Sequence, residues 1–337
     1  MRSKLPQVAG IALAAIIAGC GGSGPGSGGA GHKRPGAQAR RTLRKVARPR
    51  VAKFAYHRLY ALPAPLRDPA YAALGGGRFA LIGGLSAADT STSEVYVGDR
   101  SRVTQVATLA AAQHDAQAAT LHGRVYVFGG GSFAELDHIF SFDPASRAVA
   151  SVGALPTAQS DVGVTSIGGT AYIVGGYDGV SWKDTILAYT AGATTTRTVA
   201  KLPVGLRYAA VAAIDGRVLV AGGSTPTAAS RAIFSFDPRS GRVTRIGTLP
   251  HPVTHGELAP LGRFAYLVGG RGNGTSSQTA RIFAIDPLNG HVTAAGRLPT
   301  GLSDAALLPD GSALLVIGGL ESSGAVSAQV AALAPAR

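Results

Sequence analysis

The sequence predicts an all-β fold, a six-bladed β-propeller over residues 51–337, because two series of motifs each repeat six times. In the first series an apolar run ends in a Gly pair, and successive pairs are 46, 46, 47, 47 and 49 residues apart. The pairs begin at Gly83, Gly129, Gly175, Gly222, Gly269 and Gly318. In the second series an apolar segment ends in Leu-Pro (once in Leu-Ala), with spacings of 47, 46, 47, 47 and 49 residues. Two series that keep step over six periods indicate one repeated structural unit.

Each period divides into four strands at its turns, as the fourth repeat illustrates. Its predicted strands are residues 207–214, 217–221, 232–236 and 243–249. Asp215-Gly216 separates the first two strands and is typical of a two-residue type I′ hairpin turn. Asp237-Pro238 begins the last turn, which Gly241 completes in a left-handed conformation. Four short antiparallel strands, repeated radially, make one propeller blade.

These repeats resemble kelch repeats, in which four apolar residues precede Gly-Gly and an aromatic residue precedes Asp-Pro. The resemblance covers about 285 of the 337 residues. The second element is present at Phe142-Asp143-Pro144 and Phe236-Asp237-Pro238, and without its aromatic residue at Ile285-Asp286-Pro287. The tryptophan that kelch repeats carry in the fourth strand is absent; Val149, Val243 and Val292 stand near its place. The resemblance implies four-stranded kelch-like blades with a lighter outer edge.

The two ends of the repeat region complement each other. Residues 54–62 have the character of a fourth strand and end in Leu-Pro, although no repeat precedes them. After the sixth Gly pair only one further strand, about residues 326–333, is predicted. We therefore expect the N-terminal strand to complete the last blade and close the ring.

The basic character of the chain belongs to its first segment. Residues 1–53 hold 11 Lys or Arg and no acid, whereas the remainder holds 21 basic and 18 acidic residues. The predicted propeller is therefore nearly neutral, and the formal charge of +14 does not indicate a nucleic-acid-binding domain.

The first residues predict export and lipidation. Residues 1–19 read as a signal peptide, with Arg2 and Lys4 before an apolar run over residues 8–18 that is too short to span a bilayer. The run ends at Cys20 in a sequence that resembles the bacterial lipobox, which implies lipidation of Cys20 and anchoring to the extracytoplasmic face of a membrane. The alternative is a soluble secreted protein. Because Cys20 is the only cysteine, an intramolecular disulfide and a Cys-rich metal site are excluded.

Residues 20–50 are predicted to be a linker, Gly/Ser-rich over residues 21–31 and basic thereafter. The nine basic residues between Lys33 and Lys53 have two interpretations. They supplement a lipid anchor electrostatically, or they form a solvated stretch that binds nothing. Nucleic acid is not an expected partner, because this stretch has no aromatic residue on which bases could stack.

A column of polar residues precedes the first strand of each blade. Each repeat contributes a pair: Arg67-Asp68, His114-Asp115, Ser160-Asp161, Arg207-Tyr208, Thr254-His255 and Ser303-Asp304. In a propeller these loops share one face with the loops after the Gly pairs, near the central channel. The candidate ligand-binding residues are therefore Arg67, Asp68, His114, Asp115, Asp161, Arg207, Tyr208, His255 and Asp304. The alternative is structural, since a repeated Asp often caps strand ends and satisfies turn backbone.

Two further features lie in the loops after the Gly pairs. Trp182, the only tryptophan, is a candidate platform for a sugar or peptide, or else packs on its own blade. Glu135, Asp137 and His138 are the nearest approach to an acid–base cluster, on spacing alone.

Two hypotheses for function follow. The first is a non-enzymatic, surface-tethered module that recognises a protein or glycan through one propeller face, as an expected monomer without cofactor or metal. The second comes from resemblance: exported six-bladed kelch proteins include sialic-acid mutarotases, and Arg67, Arg207 and Glu257 are the residues that would supply that chemistry. Copper chemistry of the galactose-oxidase kind, which needs a cysteine crosslinked to tyrosine, is excluded because Cys20 is the only cysteine. No catalytic residue is predicted.

Overall fold

The computed structural model describes residues 50–336, which form twenty-six β-strands and no helix. The predicted signal peptide, lipobox and linker before residue 50 lie outside the described residues. Among residues 50–336 there is no helix long and apolar enough to cross a membrane. In chain order the strands are β1 (Phe54–Ala61), β2 (Ala70–Gly75), β3 (Arg78–Ile82), β4 (Thr92–Gly98), β5 (Val103–Gln113), β6 (Gln117–Leu121), β7 (Arg124–Phe128), β8 (His138–Phe142), β9 (Val149–Ala154), β10 (Gly163–Ile167), β11 (Thr170–Val174), β12 (Thr185–Thr190), β13 (Arg197–Lys201), β14 (Ala210–Ile214), β15 (Arg217–Ala221), β16 (Ala232–Asp237), β17 (Arg242–Thr248), β18 (Glu257–Leu261), β19 (Phe264–Val268), β20 (Arg281–Ile285), β21 (Val292–Arg297), β22 (Leu302–Ser303), β23 (Ala306–Asp310), β24 (Ala313–Ile317), β25 (Leu320–Glu321) and β26 (Gln329–Pro335).

The strands form six four-stranded antiparallel sheets, which confirms the predicted six-bladed propeller. Blades 1 to 5 are β2–β5, β6–β9, β10–β13, β14–β17 and β18–β21, and blade 6 has the order β1-β26-β24-β23. The short strands β22 and β25 pair beside blade 6. In blade 6 the N-terminal strand β1 pairs with the C-terminal strand β26, from Phe54 opposite Pro335 to Ala61 opposite Gln329. The expected closure of the ring by the N-terminal strand is therefore confirmed.

The hydrophobic core lies between blades and not within any one of them. In β15, Val218 and Val220 pack toward blade 3, whereas Leu219 and Ala221 pack toward blade 5. All four side chains are buried because both faces of this strand meet a neighbouring blade. This explains why the second strand of each repeat is a continuous apolar run and does not alternate with polar residues.

The Gly pairs join each blade to the next. At Gly175 the φ angle is 65°, and an added Cβ would lie 2.2 Å from the carbonyl oxygen of Leu206, at the entry to blade 4. Gly176 donates its N–H to that same carbonyl at 2.8 Å. The second glycine of every pair makes the equivalent bond: Gly84 to Gln113, Gly130 to Gln159, Gly223 to Val253, Gly270 to Leu302 and Gly319 to Leu66. The last of these closes the ring between blades 6 and 1.

The predicted turns of the fourth repeat are present, but its first strand is shorter than predicted. Asp215 and Gly216 both have positive φ, 50° and 71°, as a type I′ turn requires. Gly241, at φ 69°, completes the turn after Asp237. The first strand begins at Ala210 and not at residue 207, because Tyr208 adopts a left-handed conformation, with φ 51°, that ends extended pairing.

Candidate ligand-binding face

The two sets of loops predicted to share one face are joined in every blade. Strand direction alternates, so the loops into each first strand and the loops after the Gly pairs leave the same end of the propeller; we call this end the upper face and the other end the lower face. Antiparallel bridges connect the two sets: Arg67 with Leu85, His114 with Gly131, Ser160 with Tyr177, Arg207 with Ser224, Thr254 with Arg271, and Ser303 with Leu320. The upper face is therefore a framework held by backbone hydrogen bonds.

Six predicted site residues form a ring around the channel, which we call the channel ring. They are Asp68, Asp115, Asp161, Tyr208, His255 and Asp304, with φ angles of 50° to 60°. At five of the six positions the backbone N–H donates to the carbonyl of the preceding ring residue, at 2.9 to 3.2 Å. Asp tolerates this left-handed region better than most residues, which gives the repeated Asp a backbone role. The structural interpretation of the column is thus supported, and any ligand contact by these side chains stays a prediction.

Burial raises the pKa of every carboxyl group in the channel ring. Asp68 has a pKa well above its usual value because of burial and the nearby carboxyls of Asp304 and Asp115. Burial raises the pKa of Asp115 to about 6 and that of Asp161 to about 7, and it also raises the pKa of Asp304. The channel ring therefore holds protons near neutral pH and carries less negative charge than its four carboxyls suggest.

Two arginines border the channel ring on its upper side. Arg207 Nε lies 2.5 Å from Oδ2 of the buried Asp161, but the N–H is not aligned for a hydrogen bond, so the contact is ionic. Its guanidinium lies 4.4 Å from the ring centroid of Tyr177 and 4.8 Å from that of Tyr208. Arg67 pairs with Asp68 at 3.3 Å and also with Asp89. Both arginines are thus held by neighbouring carboxylates.

Two tyrosines span the channel. Tyr208 of blade 4 donates its hydroxyl to Asp115 of blade 2 at 3.1 Å. Tyr71 of blade 1 donates to Glu257 Oε2 of blade 5 at 2.5 Å. Burial raises the pKa of Glu257 to about 8, so its carboxyl is largely protonated at neutral pH. The cavity bordered by the channel ring and Glu257 measures only about 50 Å³, which suits a few water molecules and not a sugar.

The two histidines of the predicted column are held by side-chain contacts. The His255 ring stacks on Tyr208 with centroids 3.6 Å apart, and its Nε2 accepts from Arg271 at 2.9 Å. Burial and Arg271 lower the pKa of His255 well below its usual value, so this histidine is neutral. His114 Nδ1 lies 2.9 Å from the Ser91 hydroxyl, and burial lowers its pKa as well.

Of the candidates in the loops after the Gly pairs, Trp182 lies near a predicted site residue, with the Arg207 guanidinium 5.8 Å from its ring centroid. Trp182 is half-buried and packs edge-on against Tyr177, with centroids 5.0 Å apart, as in the packing alternative. His138 pairs with Gln113, Nε2 to Oε1 2.6 Å. Glu135 lies against Gly179 of the next loop, where an added Cβ would meet its Oε2 at 2.9 Å. Within residues 50–336, neither Glu135 nor Glu257 forms an ion pair with an arginine.

Two exposed apolar residues on the upper face were not predicted from the sequence. Phe133 follows the Gly pair of blade 2 and is fully exposed (107%), and Val180 in the equivalent loop of blade 3 is 84% exposed. Their loops touch at Glu135 and Gly179. The sequence signal that could have identified them is a large apolar residue within a loop of otherwise small or polar residues.

No metal site is found in the described part of the chain. No group of three or more His, Cys, Asp or Glu among residues 50–336 is arranged to hold a metal ion.

Comparison with known proteins agrees with the fold. The Kelch motif family model matches residues 205–250, which comprise blade 4 and its entry loop. A solved structure titled "Structure of YjhT" superposes with a TM-score of 0.72 at 18% identity, covering 81% of this chain and 95% of that chain. No curated protein matches the sequence. The repeats, the six blades and the matched motif together define a kelch-repeat β-propeller. At this level of identity the likeness to the solved structure concerns the fold alone.

Proposed function

We propose that this protein is a non-enzymatic binding module that recognises a protein or glycan through the upper face of its propeller. The observation that carries the proposal is the pair of exposed apolar side chains, Phe133 and Val180, on two loops that touch. Large apolar side chains that are exposed among polar groups on adjoining loops can act as contact anchors. Kelch propellers commonly bind proteins, which supports the same assignment.

The small cavity at the channel ring supports binding over catalysis. Catalysis needs a substrate beside a titratable group, and the cavity of about 50 Å³ bordered by the channel ring and Glu257 is too small for a sugar ring. The larger cavity toward the lower face, about 320 Å³, is lined mostly by apolar side chains of the first strands. Arg67 and Arg207, which border the channel ring, already have carboxylate partners. A ligand would therefore contact the loops around the channel mouth.

The second candidate is a carbohydrate-active enzyme similar to the sialic acid mutarotase YjhT. The observation in its favour is Glu257, a protonated carboxyl in the channel that could act as an acid. The observation against it is that Glu257 binds Tyr71 and no arginine among the described residues. An NMR measurement of anomer exchange in N-acetylneuraminate separates the two functions. The binding module leaves the exchange rate unchanged, and the enzyme accelerates it in a manner that Glu257→Gln abolishes.

The N-terminal segment indicates where the protein is located. We propose that Cys20 carries a lipid that tethers the propeller to the extracytoplasmic face of a membrane, and that the basic residues of the linker strengthen that attachment. Binding of the full chain to anionic vesicles should then weaken as salt rises. Binding that is independent of salt would contradict the electrostatic part.

The direct test is a glycan and peptide array probed with the full chain. For any ligand captured, the double variant Phe133→Ala/Val180→Ala should lose about 2 kcal/mol or more of binding free energy, because it removes both exposed apolar anchors. The matched control is Leu288→Ala, which removes an exposed apolar side chain (70%) from a turn on the lower face. Equal binding by all three proteins would contradict the proposed face.

A further inference from the structure

A second feature of the upper face is a groove of about 490 Å³ at the junction of blades 4 and 5. Four basic side chains line it: His251, Arg271, Arg281 and Arg297. Ser277, Gln278 and Thr279 add polar groups, and the buried Phe283 lies among the apolar residues of the wall. No Asp or Glu lines this groove. Its volume falls in the range of small-ligand sites, roughly 300–1,000 Å³.

The arginines of the groove have no carboxylate partner among the described residues, unlike the arginines beside the Asp-Pro turns. On the lower face Arg124 and Arg263 pair with the aspartates of Asp-Pro turns, at 2.9 and 2.6 Å. Within residues 50–336, none of the three groove arginines forms an ion pair with a carboxylate. Their charge is therefore available to an external anion.

The arrangement also places like charges together. Arg281 and Arg297 are register partners on β20 and β21, and like charges directly opposite one another repel. Arg281 Nη1 also contacts His251 Nε2. Arg271 Nε and Gln278 Oε1 are buried without a hydrogen-bond partner. An anion in the groove would relieve the repulsion and could supply the missing acceptor to Arg271.

Blades 4 and 5, beside which the groove lies, carry the positive excess of the propeller. Residues 205–301 contain ten arginines, no lysine and four acids, a balance of +6. Residues 54–337 as a whole have a balance of only +3, so the rest of the propeller is net acidic. The positive excess therefore belongs to these two blades, and three of their arginines line the groove.

We propose that this groove binds the carboxylate or sulfate groups of an acidic glycan. Guanidinium groups bind planar oxyanions through paired N–H donors, and the neighbouring hydroxyl and amide groups suit sugar hydroxyls. A recessed site fits an oligosaccharide better than the flat surface of a lipid bilayer. Single-stranded nucleic acid fits less well, because Phe283, the aromatic residue of the lining, is buried and offers no ring for stacking. The inference rests on the proposed function, since it uses the same face, and it adds the class of ligand.

The test is calorimetric titration of the full chain with a chondroitin sulfate tetrasaccharide and with neutral chitotetraose, at about 0.15 M salt to screen distant charge. The triple variant Arg271→Gln/Arg281→Gln/Arg297→Gln should bind the acidic probe about tenfold or more weakly, because it loses charge-assisted hydrogen bonds. The double variant Arg281→Gln/Arg297→Gln retains Arg271 and its bond to His255. It should also bind the acidic probe more weakly than wild type, but by a smaller factor than the triple variant. The matched control is Arg102→Gln/Arg147→Gln/Arg239→Gln, which removes the same charge from exposed turns of the lower face.

The outcomes separate this inference from the proposed function. The groove proposal is supported if only the groove variant loses binding of the chondroitin sulfate tetrasaccharide and no protein binds chitotetraose. Equal loss in the control variant overturns it, because general electrostatic attraction would then be responsible. Absence of binding between the wild-type chain and the acidic probe also overturns the groove proposal. The proposed function still stands in that case if the array captures a ligand whose binding is lost in Phe133→Ala/Val180→Ala. Loss of phosphatidylglycerol vesicle binding in the groove variant, without loss of glycan binding, would assign the site to a lipid headgroup and also overturn it.

Discussion

Left-handed backbone at one position per blade determines how the inner loops meet. The channel-ring residues turn the chain so that five of their six N–H groups reach the carbonyl of the preceding ring residue. Asp occupies four of these positions, where its short polar side chain lowers the cost of positive φ. The side chains are then forced together at the channel mouth, and their raised pKa values follow from that crowding and burial.

Arg207 should be important for stability because it faces a buried carboxyl group. Arg207→Ala is expected to cost about 2 kcal/mol or more, since it leaves Asp161 without its cation. Adding Asp161→Asn to that variant should recover part of the loss. Urea unfolding measures both effects, with Arg239→Ala in an exposed turn as the control. A cost no larger than that of the control would contradict the ion pair.

Glu257 should make stability depend on pH. Its pKa is about 8 in the folded protein and near 4.5 when unfolded, so the folded state holds a proton that the unfolded state releases. Stability therefore falls as pH rises from about 4.5 to about 8, and this loss is complete above the folded pKa. Glu257→Gln keeps an acceptor for Tyr71 but removes the titration. The melting temperature of the variant relative to wild type should rise between about pH 5 and pH 8, and parallel curves would refute the assignment.

The polar pairs before the first strands could be predicted from the sequence, but the side-chain contacts across the channel could not. The repeated Asp positions were visible because the period aligns them. The bond between Tyr71 and Glu257 joins residues 186 positions apart across the channel, and neither residue repeats in the other blades. Phe133 and Val180 likewise have no counterpart in the period. Residues that depart from the repeat carry contacts that a repeat cannot predict.

The Gly pairs act at the scale of the element, by letting one blade approach the next. Gly175→Ala should cost about 3 kcal/mol or more, because a methyl group would meet the Leu206 carbonyl at 2.2 Å in addition to the cost of positive φ. The matched control is Gly192→Ala, which has φ 89° but nothing within 4 Å, and should cost about 1 kcal/mol. Chemical denaturation of both variants provides the comparison. Similar costs would show that backbone conformation alone explains the glycines.

Strand positions were largely predictable, and their ends less so. The second strand of the fourth repeat, residues 217–221, matches β15 because the turn and the Gly pair mark both ends. The first strand was predicted three residues too long. Apolar composition continues through Ala209, but the left-handed Tyr208 is a property of the inter-blade contact and not of the local sequence.

At the scale of the whole molecule the ring depends on its N-terminal strand. Removing residues 1–61 should abolish cooperative unfolding, because it exposes the edge of β26 and uncovers the core around Leu62 and Leu66. Removing only residues 1–49 keeps β1 and should leave the unfolding transition cooperative. Calorimetry of both truncations tests the closure. A cooperative transition without β1 would contradict it.

The overall architecture was predictable because the same motifs recur in six repeats. The ligand was not predictable, because the loops that would contact it differ from repeat to repeat. The proposed binding function therefore depends on the upper face. Hydrogen–deuterium exchange of the full chain, with and without a ligand captured from the array, tests it most directly. We predict ligand-dependent protection in the loops after the Gly pairs, foremost residues 130–137 and 176–183, with the turns at Asp143, Asp237 and Asp286 unchanged. Protection confined to those lower-face turns would contradict the account.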